Sequence, residues 1–346
     1  MTAETTGTAD SPDSAGAAGA AGAAGAAEGA GAGAGPGAGA GPGAGAGPGA
    51  SGPRALAWQR RRASAARFWR EYRRHRAGVF GLAALVLFAL VALTAPLTVG
   101  SDVSSVTDAP GQPLQGPSGH FPLGTDQFGR NLLGLVIWGS RVSLLVGLLA
   151  AVLSVAIGAL IGITCGHFRG WYATVMMRVT DWFLVMPTLV LAIALATVLS
   201  RSLGTVVLAI GVTTWPTTAR LVRAQTLAVE SRPYIERAKA LGGGHWHIMS
   251  RHVLPNVMPL VLAQTTLIIS SAILAEATLA FLGLGDPTVV SWGGLLQDAR
   301  EAGAVSSGDW WYLVPPGIAI AVVALAFTLC GRAVEAVLNP RLGVAR

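Results

Sequence analysis

Ala77 to about Gly100 holds no charged residue, and five further apolar stretches follow it, at about 142–166, 173–200, 205–224, 256–283 and 312–329. A helix of roughly 20 apolar residues spans a hydrocarbon core of about 30 Å, and inside lipid every backbone N–H and C=O must find its partner within the protein. Runs of this length meet that demand as helices. The chain is therefore expected to be an all-α integral membrane protein with six transmembrane helices. Composition agrees, since 52% of the 346 residues are hydrophobic and 12% charged, about half the charge of a soluble chain.

Orientation follows from the arginines. With both termini in the cytoplasm, only Arg130, Arg141, Arg201 and Arg300 fall outside, and the remaining basic excess lies inside, as topology rules require. The net charge of +7 is thus a topology signal rather than a nucleic-acid footprint. Residues 53–76 crowd arginines with Trp58, Phe68, Trp69 and Tyr72 just ahead of the first span. Such a mixture suits RNA or anionic lipid, and its position favours a basic segment at the lipid interface. Residues 1–52 repeat Ala, Gly and Pro and offer little to bury, so a disordered tail is expected there; they lack the basic-then-apolar order of a signal peptide.

Between the fourth and fifth spans, Ser231 to Pro255 carries charges, three consecutive glycines and three histidines. This stretch cannot lie in lipid. Pro233 suits the first turn of a helix, where its missing N–H is not needed, and Tyr234 to Leu241 contains no breaker. Glu236 then lies near the positive end of that helix, Arg237 and Lys239 near the negative end, and Gly242 to Gly244 can take the positive φ that stops it. So short a helix is unstable alone in water and must dock. Its pattern by itself suits either a protein groove or the membrane surface.

Several chemistries are excluded or disfavoured. Lys239 is the only lysine and Ala240 follows it, so no P-loop for ATP is present. No metal site or cofactor is expected on this chain: Cys165 and Cys330 lie in or beside apolar runs without neighbouring ligands and are read as small packing residues. His245, His247 and His252 are the nearest thing to a cluster, on the polar loop. Within the spans, Arg178 and Asp181 stand three apart on one helix face and are expected to pair, while Glu276 near an outer end is a candidate gating charge. Trp215-Pro216 is expected to kink the fourth span, and Trp292, Trp310 and Trp311 to sit at the membrane interface.

Three segments carry a family resemblance. HFPLGTDQFGRNLL ahead of the second span, the loop from Tyr234 to Asn256, and FLGLGDPTVVSWGGLL after the fifth span resemble motifs of ABC importer permeases of the dipeptide/oligopeptide/nickel family, in particular the second, or C-type, permease of the pair. In the loop, Glu236, Ala238, Gly242, Leu254 and Pro255 fall at the family's spacing, with Arg237 and His252 as departures; Asn131 replaces an Asp in the first motif, and GRAVEAVLNPRL near the C-terminus departs at Arg332 and Asn339. The resemblance implies a type I ABC importer permease fold over 77–341, six spans with a cytoplasmic coupling helix in the 231–255 loop, and 342–346 as the end of a cytoplasmic tail. It implies a bacterial inner-membrane subunit that moves di- or oligopeptides by alternating access. Its partners would be a homologous second permease, two ATPases that bind the ATP and Mg, and an extracytoplasmic substrate-binding protein. Tyr234, Glu236, Ala238, Gly242 and Pro255 would form the ATPase-coupling site, with Pro255 marking where the fifth span begins. A secondary transporter driven by an ion gradient is the alternative; it would rely on Glu276 and the Arg178/Asp181 pair.

Overall fold

A computed structural model describes residues 66–338; the expected tail over 1–52, most of the basic segment and residues 342–346 lie outside the described residues. The elements are α1 (Arg76–Thr98), α2 (Leu132–His167), α3 (Trp171–Val185), α4 (Thr188–Val198), α5 (Leu203–Glu230), α6 (Pro233–Ala240), α7 (His245–Ile248), α8 (Leu254–Phe281), α9 (Trp292–Glu301), α10 (Ala304–Ser307) and α11 (Trp310–Leu338). Five helices among the described residues are long and apolar enough to cross a membrane, and six spans result if α3 and α4 count as one.

That pair corrects the expected continuous span over 173–200. The chain bends by 92° between α3 and α4. Pro187 has no N–H to give and crowds the residue before it, and Met186 accordingly takes the extended conformation, with φ −77° and ψ 135°. Pro216, by contrast, sits inside the unbroken helix α5. The second span also begins earlier than its apolar run, because Asn131 caps α2 by accepting hydrogen bonds from the N–H groups of Leu133 and Gly134.

α2 packs along α5 over much of its length, and small residues let the two backbones approach. Gly158, Gly162 and Gly166 recur every fourth residue on one face of α2; a Cβ at Gly162 would stand 2.7 Å from both the Ala219 carbonyl oxygen and Val222 Cβ. Backbones approach closely only where such stripes of small residues face a neighbour. Gly162→Leu is expected to force these helices apart and to lower the melting temperature of the detergent-purified protein by several degrees; an unchanged transition would show that the contact tolerates a side chain. Cys165 and Cys330 are both free and buried, as packing residues should be.

On the side opposite the 231–255 loop, the LGTDQFGRN segment folds into a polar knot. Asp126 is fully buried and accepts from the backbone N–H of Phe128 at 2.9 Å and of Arg130 at 2.8 Å, and from Arg130 Nε at 2.6 Å. Thr125 Oγ1 donates to the Gln112 carbonyl at 2.6 Å and accepts from Gln115 N–H at 2.8 Å, stitching the preceding loop to the start of α2. Nearby, Trp292 departs from its expected interfacial place: it is 0% exposed, and its Nε1 donates to the Val136 carbonyl at 2.8 Å. Its ring also meets Phe88 edge-on, so its large apolar area is consumed in the core. Trp310 is exposed, as an interfacial residue would be.

Candidate functional site

The polar loop folds as its residues dictate. Pro233 opens α6, Glu236 lies in its first turn, and Arg237 and Lys239 in its last. The end is a Schellman closure: Gly243 N–H donates to the Ala238 carbonyl at 2.9 Å and Gly242 N–H to the Lys239 carbonyl at 3.0 Å. Gly242 takes φ +83° with open space where a side chain would stand, so backbone conformation rather than crowding requires glycine there. Only Ile235 of α6 is buried. Tyr234, Glu236 and Arg237 are exposed, and beside them Leu241 is 89% and Trp246 77% exposed.

Sequence reasoning missed what fastens this helix. Glu230, the last residue of α5, is buried. Its Oε2 accepts from Lys239 Nζ at 2.6 Å, and its Oε1 accepts from Nδ1–H of His167, the last residue of α2, also at 2.6 Å. With that proton on Nδ1, His167 presents Nε2 to His245 Nδ1 at 2.9 Å, at the start of α7. One carboxylate thus ties α2, α5, α6 and α7 together. Burying a carboxylate without partners is prohibitive, so these contacts are what allow it to be there. An acidic residue in the last helical turn, where the dipole disfavours it, was the available signal.

Pro255 stands in the first turn of α8, but helical structure begins ahead of it. The helix runs from His245 through a π-helical turn, Met249–Val253, into α8. In that turn Leu254 N–H donates to the Met249 carbonyl, five residues back; the wider register leaves room for the Pro255 ring, which in an α-helix would strike the carbonyl four residues back. Tyr234 Oη accepts from Asn256 Nδ2 at 3.3 Å, joining α6 to the start of α8. Glu236 makes no ion pair with another described residue, and its carboxylate stands free at the surface.

The intramembrane charges also differ from expectation. Asp181 pairs with Arg220 of α5 at 2.6 Å rather than with Arg178, which is exposed; a shared helix face does not outweigh an arginine brought up by the next helix. Glu276 gains no solvation from its position near an outer end, being 3% exposed. The hydroxyls of Ser143 and Ser291 lie against it, and its Oε2 has no hydrogen-bond partner among the described residues. Among the described residues, His245, His247 and His252 included, no three His, Cys, Asp or Glu groups are placed to hold an ion.

Comparison with known proteins gives matches along most of the chain. Residues 158–344 match the family described as binding-protein-dependent transport system inner membrane component, and residues 65–117 the N-terminal TM domain of oligopeptide transport permease C. A putative peptide transport system permease protein of Brucella abortus is 38% identical over 275 residues, covering 79% of this chain and 90% of the relative. The di/tripeptide transport system permease protein DppC of Pseudomonas aeruginosa is 35% identical over 280 residues, 80% of this chain and 91% of the relative. The glutathione transport system permease protein GsiD of Pectobacterium atrosepticum is 32% identical over 277 residues, 80% and 90% respectively.

Proposed function

This chain belongs to the binding-protein-dependent transport system inner membrane component family, and on that footing we propose that it is the C-type permease of a peptide importer whose α6 is driven by a partner ATPase. It is a multi-pass membrane protein and a permease subunit of an ABC importer. Peptide as solute is supported by the names of its relatives, among them transporters of dipeptides, tripeptides and glutathione. The subunit is assigned to a bacterial inner membrane with both termini in the cytoplasm, a reading that the arginine distribution supports. ATP and Mg are assigned to two ATPase subunits, the other half of the pore to a homologous permease, and solute delivery to an extracytoplasmic binding protein.

The observation that carries the coupling role is the exposed surface of α6. Leu241 and Trp246 stand almost free of their own chain beside the unpaired Glu236, and exposed apolar anchors rimmed by charge are what a protein interface leaves when its partner is removed. When nucleotide closes the ATPase pair, α6 moves with its groove; through Glu230 the motion reaches α2 and α5, and the spans reorient. Tyr234, Glu236, Ala238 and Gly242 are the residues assigned to this docking, with Pro255 keeping the turn beside them.

The test uses the reconstituted four-subunit transporter with its binding protein. Gly242→Val, which places a β-branched side chain at φ +83°, and Glu236→Lys are each expected to lower peptide uptake per ATP hydrolysed by about ten-fold, equivalent to about 1.4 kcal/mol of coupling. Wild-type stoichiometry in both would remove the coupling role from α6. Uptake driven by an ion gradient in vesicles without ATP would favour the secondary-transporter alternative.

A further inference from the structure

We propose that residues 66–76 are a docking surface for anionic phospholipid headgroups, and that headgroups bound there hold α1 in place against α11. Residues 66–72 form a short helix ahead of α1. Its aromatics and arginines separate: Phe68, Trp69 and Tyr72 share one side, while Arg67 and Arg70, three apart, share the other. Arg73 and Arg74 follow in the turn after it, Arg76 opens α1, and Glu71 is the one acid in the segment. All five arginines are exposed. Arg74 meets Glu71 at 3.2 Å with both side chains open to water, a pairing that contributes little. Arg67, Arg70, Arg73 and Arg76 make no ion pair with another described residue.

The partner this surface fits is a lipid surface. Phe80, exposed and apolar on α1, lies only about 6 Å along the helix from Arg76 at 1.5 Å per residue. The arginines therefore sit at the edge of the apolar belt, at the depth of headgroups. Trp69 is 46% exposed, an amphipathic ring suited to that depth. Arginines clustered beside a span attract anionic lipid, each adding to the binding, and interleaved rings add apolar area. Single-stranded nucleic acid needs open ring faces on which its bases stack. Here Tyr72 is buried and stacked with Trp69 at 5.9 Å and with Phe68 at 6.1 Å. Tyr72 also links the surface to the spans. Its hydroxyl donates to the Gly78 carbonyl at 2.9 Å, and Gly78 lies so near α11 that a Cβ there would stand 2.4 Å from Ala333 Cβ. A headgroup that holds the arginines at the membrane face thereby fixes Tyr72 and the crossing of α1 with α11.

This inference rests on the orientation given for the importer, with the start of α1 at the cytoplasmic face, and the test reads lipid contact and transport separately. The complete transporter is reconstituted into phosphatidylcholine vesicles with none or about 40% phosphatidylglycerol, plus a trace of phosphatidylglycerol carrying a photoactivatable diazirine in its headgroup. Wild-type peptide uptake with ATP is expected to be at least about three-fold faster with the anionic lipid, with crosslinks falling within residues 66–76. Changing Arg67, Arg70, Arg73 and Arg74 together to Gln is expected to remove both the crosslinks and the lipid dependence. The same four positions changed to Lys keep the charge and both readouts. Tyr72→Phe, which deletes the hydrogen bond to Gly78, is expected to keep the crosslinks and to weaken the lipid dependence of uptake. Equal wild-type uptake in the two membranes, or crosslinks that persist unchanged in the Gln variant, overturns the proposal. So does a loss of uptake in the Gln variant by the same factor in both membranes, which assigns the arginines to topology, or RNA that co-purifies with the wild type and not with the Gln variant. If the wild type takes up no peptide with ATP in either membrane, the importer reading fails instead, and the crosslinks still decide whether these arginines hold lipid.

Discussion

Glu230→Gln is expected to cut peptide uptake in reconstituted vesicles by at least about ten-fold while ATP hydrolysis by the partner subunits continues. The substitution keeps the side chain's shape and removes the charge that Lys239 and His167 both address. Removing one member of a buried ion pair costs roughly 3–5 kcal/mol; the cost here is smaller on the Lys239 side, because that side chain is 48% exposed and water screens it. Loss of the full contact leaves α6 tethered by Ile235 and by the Tyr234–Asn256 hydrogen bond to α8, so a push from an ATPase would not be passed directly to α2 and α5. Lys239→Met is expected to have a milder effect of the same kind. If the two residues act as one clasp, the double variant transports no worse than Glu230→Gln alone. Additive losses, or normal uptake by Glu230→Gln, would mean that motion reaches the spans by another route.

The second large effect is on stability and lies on the opposite side. Asp126→Ala is expected to destabilise the protein by about 3–5 kcal/mol, because Arg130 would be left as an uncompensated charge whose side chain is only 9% exposed. Two backbone N–H groups would lose their acceptor as well. Thermal unfolding in detergent together with protease sensitivity of the loop ahead of α2 would measure it. A melting temperature within a degree of wild type would show that Arg130 finds compensation elsewhere, with Asp298, 3.9 Å from its guanidinium, as the nearest candidate. Burial pushes the Asp298 carboxyl up, against the pull of Arg130, so it is the weaker replacement.

The two effects divide what the family-like motifs do. The LGTDQFGRN segment resembled a family signature, and the structure makes it a scaffold: a buried aspartate, a buried arginine and a helix cap at Asn131. The loop motif builds a surface instead, with most of α6 turned outward. A resemblance in sequence does not distinguish these uses; burial does.

The chain alone pointed to the long apolar helices and their approximate positions, the helix from Pro233, and the stop at Gly242. These are local matters, since transfer into lipid depends on the composition of a run, and caps depend on one or two residues' backbone preferences. Tertiary structure decided the rest. His167 meets Glu230 across 63 residues, Arg220 takes Asp181 across 39, and Trp292 reaches the Val136 carbonyl across 156. No spacing rule foretells such pairs, because which side chain satisfies a buried charge or N–H is settled by how helices stack. That stacking depends on small residues such as Gly158 and Gly162, whose effect is felt only where another helix comes to lie against them.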